Sequence, residues 1–125
     1  MENMIIRKVN NGMLELHDET SNIIMTIEEK IENGTMLIDV SGEIRSEVAH
    51  EFEDEIMAAF SVSNNIMINL SKATYISSLA LRALLSLQQM IDDMPEAKMV
   101  ICGLSPQIKQ SFVESGFYDI LYIEE

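Results

Sequence analysis

Apolar residues recur along this chain at two spacings, and the alternation between those spacings marks out its elements. Residues 23–31 are rich in β-branched side chains that partly alternate with polar ones, Asn33-Gly34 is a strong hairpin turn, and residues 35–40 read as the returning strand. Ser46 reads as the N-cap of a helix running to about Phe60, with Val48, Phe52, Ile56 and Ala59 at i, i+4, i+8 and i+11 forming its buried stripe. The run Ile66-Met67-Ile68-Asn69-Leu70, set between Asn64-Asn65 and Ser71-Lys72, has the length of a strand buried on both faces. A short turn separates it from Tyr75-Ile76 and the pair Ser77-Ser78, after which good helix formers continue without a breaker until Pro95. On this second helix Leu81, Leu84, Leu85, Leu87 and Ile91 can face a sheet. Arg82, Ser86 and Gln89 form a polar stripe flanked by Leu79, Ala83 and Met90, so that apolar surface close to Ser78 is either an exposed docking face or covered by the C-terminal segment or the N-terminal extension. Residues 97–102 read as another buried strand. Ser105-Pro106 opens a third helix with a short stripe of Ile108 and Phe112, Gly116 ends it, and residues 118–123 form a closing strand.

The pattern predicts an α/β fold of α+β character: a mixed sheet of four to five strands with three to four helices packed on it, right-handed wherever strands run parallel. Residues 21–125 make one domain. Residues 1–20 form an N-terminal extension in which Met4-Ile5-Ile6 and Met13-Leu14-Glu15-Leu16 flank Asn10-Asn11-Gly12, so that it adds a hairpin or edge strand or stays mobile.

Composition narrows the function. At 125 residues and 47% apolar content the chain suits a single modest core. No apolar stretch approaches the length of a membrane span, and the N-terminus lacks a signal-peptide h-region, so a cytoplasmic address is expected. The one cysteine, Cys102, lies in a strand pattern and reads as a buried, inert thiol. Net charge is −13, and 14 of the 21 acidic residues precede Asn65. That excess argues against nucleic acid or anionic lipid as a partner and would speed encounter with a basic protein.

Catalytic machinery is not legible. There is no Gly-rich phosphate loop, no serine with a plausible base and no His/Cys cluster at ligand spacing; His17 is isolated, and His50 reads as a solvated residue within an acidic surface. Gly42, Gly103 and Gly116 read as turn or cap glycines. No enzyme, cofactor or metal is expected. The serine pair is the one candidate left. A serine before a helix is commonly an N-cap, but a phosphoserine there is also compatible with the fold, because the helix dipole tolerates an anion.

Several stretches resemble the STAS domain, the fold shared by anti-sigma factor antagonists and sulfate-transporter tails. They are Ile66-Met67-Ile68-Asn69-Leu70 followed by Tyr75-Ile76-Ser77-Ser78-Leu79-Ala80-Leu81, the upstream Leu37–Ile44 with its Gly42-Glu43-Ile44, Val100–Pro106, and Phe112–Phe117. Together they span roughly residues 21 to 123. The resemblance implies a non-enzymatic regulator that binds an anti-sigma factor, itself a histidine-kinase-like serine kinase, and is released by phosphorylation. It places the modified residue at Ser78, with Ser77 as the neighbouring alternative. The partner face would comprise Ser77, Ser78, Leu79, Arg82, Ala83, Ser86 and Arg45. This sequence departs from the family pattern at four of its positions: Ser77 replaces Asp, Leu79-Ala80 replace Ser/Thr-Gly, and Arg45 replaces an acidic residue. An alternative is a constitutive, unphosphorylated STAS scaffold subunit in a larger signalling or transport assembly, and a homodimer stays open.

Overall fold

A computed structural model describes residues 5–10 and 12–124; Met4 and Asn11 of the expected N-terminal hairpin lie outside them. Seven strands form one sheet whose spatial order follows the chain: β1 (Ile6–Asn10), β2 (Met13–His17), β3 (Ile23–Glu32), β4 (Thr35–Ile44), β5 (Asn65–Ile76), β6 (Lys98–Cys102) and β7 (Ile123–Glu124). Strands β1 to β4 are antiparallel, and β4 to β7 are parallel. The sheet is mixed as expected but has seven strands instead of four to five. The extra ones are β1 and β2, contributed by the first 20 residues; β7 is the expected closing strand cut down to two residues.

Each parallel crossover carries a helix: α1 (Ala49–Ala59), α2 (Ser78–Asp92) and α3 (Pro106–Ser115). Period-two alternation puts Met36, Ile38, Val40, Ile66, Ile68, Leu70, Met99 and Ile101 on one buried face. There they join Phe52 and Ile56 of α1, Leu84 and Leu87 of α2, and Phe112 of α3 in a single core. The opposite face carries Leu37, Asp39, Ser41, Met67, Asn69 and Val100, all half-buried. The expectation that residues 66–70 are buried on both faces is therefore corrected: helices cover one side only. On the other, Asn69 Nδ2 donates to Asp39 Oδ1 at 3.0 Å and Asn69 Oδ1 accepts from the Ser71 N–H at 3.0 Å, pinning β5 to β4.

Other local expectations change for identifiable reasons. No turn interrupts residues 71–74; β5 continues to Ile76 through shifts in its register with β4, because polar side chains on an exposed edge do not stop main-chain pairing. Gly42 lies inside β4 at one such shift, with φ of 92° and the Ile24 carbonyl directly where a Cβ would stand, so it is a bulge glycine and not a turn. Ser46 does not cap α1: it begins a 3₁₀ turn, Ser46–Val48, preceded by Arg45, with no side-chain cap bond. Residues 118–122 form turns in which Leu121 is buried, leaving only Ile123–Glu124 to pair with β6. The end of α3 is as read. Ser105 Oγ accepts from the Ile108 N–H at 3.2 Å, Pro106 occupies N1, and Gly116 closes the helix at φ 81°.

Candidate functional site

The start of α2 is built by two hydrogen bonds from one residue. The Ser77 N–H donates to the Ile44 carbonyl at 2.9 Å, tying the helix entry to the end of β4. The Ser77 hydroxyl accepts from the Ala80 N–H at 3.2 Å, the N-cap bond of α2. Ser77 is 3% exposed, whereas Ser78, the first helical residue, is exposed. Two adjacent serines thus have separate roles: one is consumed inside the fold, and the other is displayed at the positive end of a helix dipole.

A groove of about 300 Å³ lies between α1 and α2, with Leu79, the residue after Ser78, in its wall. Its α2 wall is Leu79, Arg82, Ala83 and Ser86; its other wall is Ala49, His50 and Glu53 of α1 with Ser46 of the preceding 3₁₀ turn. Leu79 is 51% exposed, Arg82 and Ser86 are exposed, and Ala83 is 7% exposed, so that Ala83 serves as floor and not as a projecting contact. Met90, expected to extend the apolar patch, instead packs half-buried against the core. Sequence reasoning missed the α1 wall. Its spacing (46, 49, 50, 53) is a helical stripe flanking the core stripe and sharing Ala49 with the core, but nothing local says that it faces α2. It also missed Gln88, a polar residue at a core spacing that is 2% exposed and donates Nε2 to Asp92 Oδ1 at 3.0 Å.

Arg45 is not part of this groove. It lines a separate pocket of about 250 Å³ with Ile5, Asp18, Glu19, Thr20, Ile24 and Glu47. Its Nη2 donates to Glu43 Oε2 at 3.0 Å, a hydrogen bond that holds the Glu43 carboxyl below its ordinary range. Asp18 in the same pocket accepts from the Thr20 hydroxyl and from the Thr20 and Asn22 N–H groups, which lower its proton affinity likewise.

The groove is electrically uneven. Its α1 side belongs to a helix with Glu51, Glu53, Asp54 and Glu55 and no basic residue but His50, which pairs with Asp54 at 3.2 Å; its α2 side offers Arg82. The Cys102 thiol is half-buried, and burial, then Glu124 and Asp39, push its proton affinity up, as suits an unreactive thiol. Among the described residues no three His, Cys, Asp or Glu side chains are placed to hold a metal ion, and no helix is long and apolar enough to cross a membrane.

A strand-to-helix turn with a serine cap, on a sheet of this mixed order, can be compared with known families. The STAS domain profile matches residues 26–125. The chain belongs to the STAS domain family. It is similar to BtrV of Bordetella bronchiseptica, a candidate anti-sigma factor antagonist, with 28% identity over 89 residues that cover 70% of this chain and 76% of that one. Among solved structures, an anti-sigma factor antagonist from Mycobacterium paratuberculosis superposes with a TM-score of 0.68 at 20% identity, covering 79% of this chain and 84% of that one. The anti-sigma factor antagonist SpoIIAA in its unphosphorylated form gives 0.64 at 15% identity, covering 79% and 88%. Within this STAS domain the departures from the family motif have structural reasons. Ser and Asp are near-equal N-caps, so Ser77 keeps the capping role without the charge. Ala80 is fully buried within α2, where a methyl group packs and glycine would only weaken the helix.

Proposed function

We propose that this STAS domain is a non-enzymatic regulator of the anti-sigma-factor-antagonist kind, which docks an anti-sigma factor or related serine kinase over the start of α2 and is released when Ser78 is phosphorylated. The observation that carries this reading is the division of labour in the serine pair: Ser77 is buried as the cap, and Ser78 stands exposed one residue later. A phosphate on Ser78 would sit at the helix N-terminus, where up to about two negative charges are tolerated by the fold. The same charge beside Leu79 and the groove would have to be stripped of water in any complex, which is costly without a matched cation. Glu53 on the facing wall supports a partner segment that is basic where it meets α1 and apolar where it meets Leu79 and Ala83. The relative SpoIIAA has also been solved in a phosphorylated form, with a TM-score of 0.60.

Intact-mass and peptide analysis of the protein from its own cells tests the proposal. A phosphate on Ser78 is the expected result. A phosphate on Ser77 would contradict the assignment, because the cap would have to break first. No phosphate under any growth condition, together with a stable complex, would favour the constitutive scaffold. In reconstitution with the captured partner, Ser78→Asp should fold normally and lose binding, and Ser78→Ala should bind constitutively.

A further inference from the structure

The two ends of α2 are served differently. Its start has the Ser77 cap, whereas its last turn carries no basic residue and closes on Asp92, with Asp93 as the C-cap. The unpaired carbonyls of a helix C-terminus favour a cation, and carboxylates beside them are unfavourable. At this end a pocket of about 520 Å³ opens between α2 and the starts of β5 and β6, a size that suits a small organic ligand. Gln88, Ile91 and Asp92 line it from the helix, Glu96 from the turn that follows, and Tyr122 from the C-terminal segment. The Tyr122 carbonyl accepts from the Ile101 N–H at 2.9 Å, so its backbone is held on β6 while the residue stays 59% exposed.

Gln88 lies in the floor of this pocket at 2% exposure. Its Nε2 donates to Asp92 Oδ1 at 3.0 Å, and because a carboxylate only accepts, that bond fixes which way the amide is turned. Oε1 is left as the remaining acceptor, and it is buried with no hydrogen-bond partner. An acceptor stripped of water and left unpaired is a cost that nothing else in the fold offsets. The charged residues lining the pocket are Asp92, Glu96 and Lys98, two carboxylates against one ammonium.

We propose that this pocket binds a small organic cation, with a primary ammonium or guanidinium head on an apolar body. The head donates to Gln88 Oε1 and to the Asp92 carboxylate, which satisfies the buried acceptor and the negative end of α2 together. The Gln88 amide tilts towards the opening to meet it and keeps its own bond to Asp92. The apolar body lies along Ile91 and the Tyr122 ring, whose face also attracts a cation. The pocket stands at the opposite end of α2 from Ser78, so its occupation does not depend on the proposed switch.

Titration of the full chain with tyramine, agmatine and cadaverine, followed by amide NMR at constant ionic strength, tests the site. At least one of the three should shift the amides of Gln88, Asp92 and Lys98 saturably, with a Kd of about 1 mM or tighter. Tyrosol, the neutral alcohol counterpart of tyramine, should give no saturable shift. Gln88→Met roughly keeps the side-chain volume and removes the acceptor, and should weaken binding about tenfold or more. If that variant fails to fold, Asp92→Asn decides: it still accepts from Gln88 Nε2 but has lost the charge, and the same weakening is expected. The proposal is overturned if none of the three cations shifts these amides saturably, or if the shifts spread over the acidic surface instead of this end of α2. Undiminished affinity in the folded variant, or tyrosol bound as tightly as the cations, overturns it equally.

Discussion

The two halves of the sheet meet at β4 and are held together by different means. In the parallel half the buried face is a run of aliphatic side chains, Ile38, Val40, Ile66, Ile68, Leu70 and Ile101, roofed by three helices. In the antiparallel half Leu14, Leu16, Met25 and Ile27 begin the same way, but the face ends in Glu29, and its outer strand is tied down by Arg7 and Glu55. Apolar burial is indifferent to pH and weakly sensitive to salt; a charged tie responds to both. The lesson is that one sheet can carry a constant scaffold on one side and a conditional attachment on the other. The candidate docking groove lies over the constant side.

The contrast would be broken most severely from the shared core. Phe52→Ala removes a fully buried ring from α1 and should cost about 3–5 kcal/mol in urea unfolding, with both halves lost in one transition. Separate transitions for β1–β2 and β5–β6 would show that the halves have independent cores. Gly42→Ala strikes the seam itself: a methyl group would meet the Ile24 carbonyl at positive φ, and the expected loss is about 1–3 kcal/mol. Ser77→Ala acts inside the constant half. It deletes the α2 cap and should cost about 1 kcal/mol, whereas Ser78→Ala, one residue on, should stay within about 0.5 kcal/mol. Equal effects at the two serines would undo the division of labour on which the proposed switch rests. Smallest of all, Arg45→Ala should change stability by less than about 0.5 kcal/mol, because the pair with Glu43 is solvent-exposed.

How much of this was legible in the sequence also differs between the halves. The parallel half announces itself. Its strands are continuous apolar runs, its helices carry clear stripes, and Ser77, Ser105, Pro106 and Gly116 are local signals with local causes. The STAS resemblance rests almost wholly on this part. The hairpin of the first 20 residues was readable only as an option, because five-residue strands gain most of their definition from the neighbour they pair with, and Ile6–Asn10 has only β2. Ser46 misled because a good cap residue is not obliged to cap; the chain enters α1 through a 3₁₀ turn instead. At the site, α2 supplied Leu79, Arg82, Ala83 and Ser86 in one stripe. The facing wall from α1 depended on how two helices lie side by side, and Arg45 was drawn into the site by its place in the family motif although its side chain belongs to a different pocket. The Arg7–Glu55 pair joins a strand and a helix separated by 48 positions and left no local trace at all.

Every strand of this sheet lies beside the strand that precedes it in the chain, from β1 to β7. No strand has to be threaded between two that are already paired, so each can add to a finished edge as the ribosome releases it. Emergence of the chain then sets a timetable. The hairpin and β3 exist before α1 does, and thus before Glu55 is there to hold them. The edge that grows during synthesis is the one that β7 finally closes, with just two residues. Until Ile123 and Glu124 leave the tunnel, the nascent protein presents β6 as an open strand, and that interval is when aggregation or chaperone capture would find it.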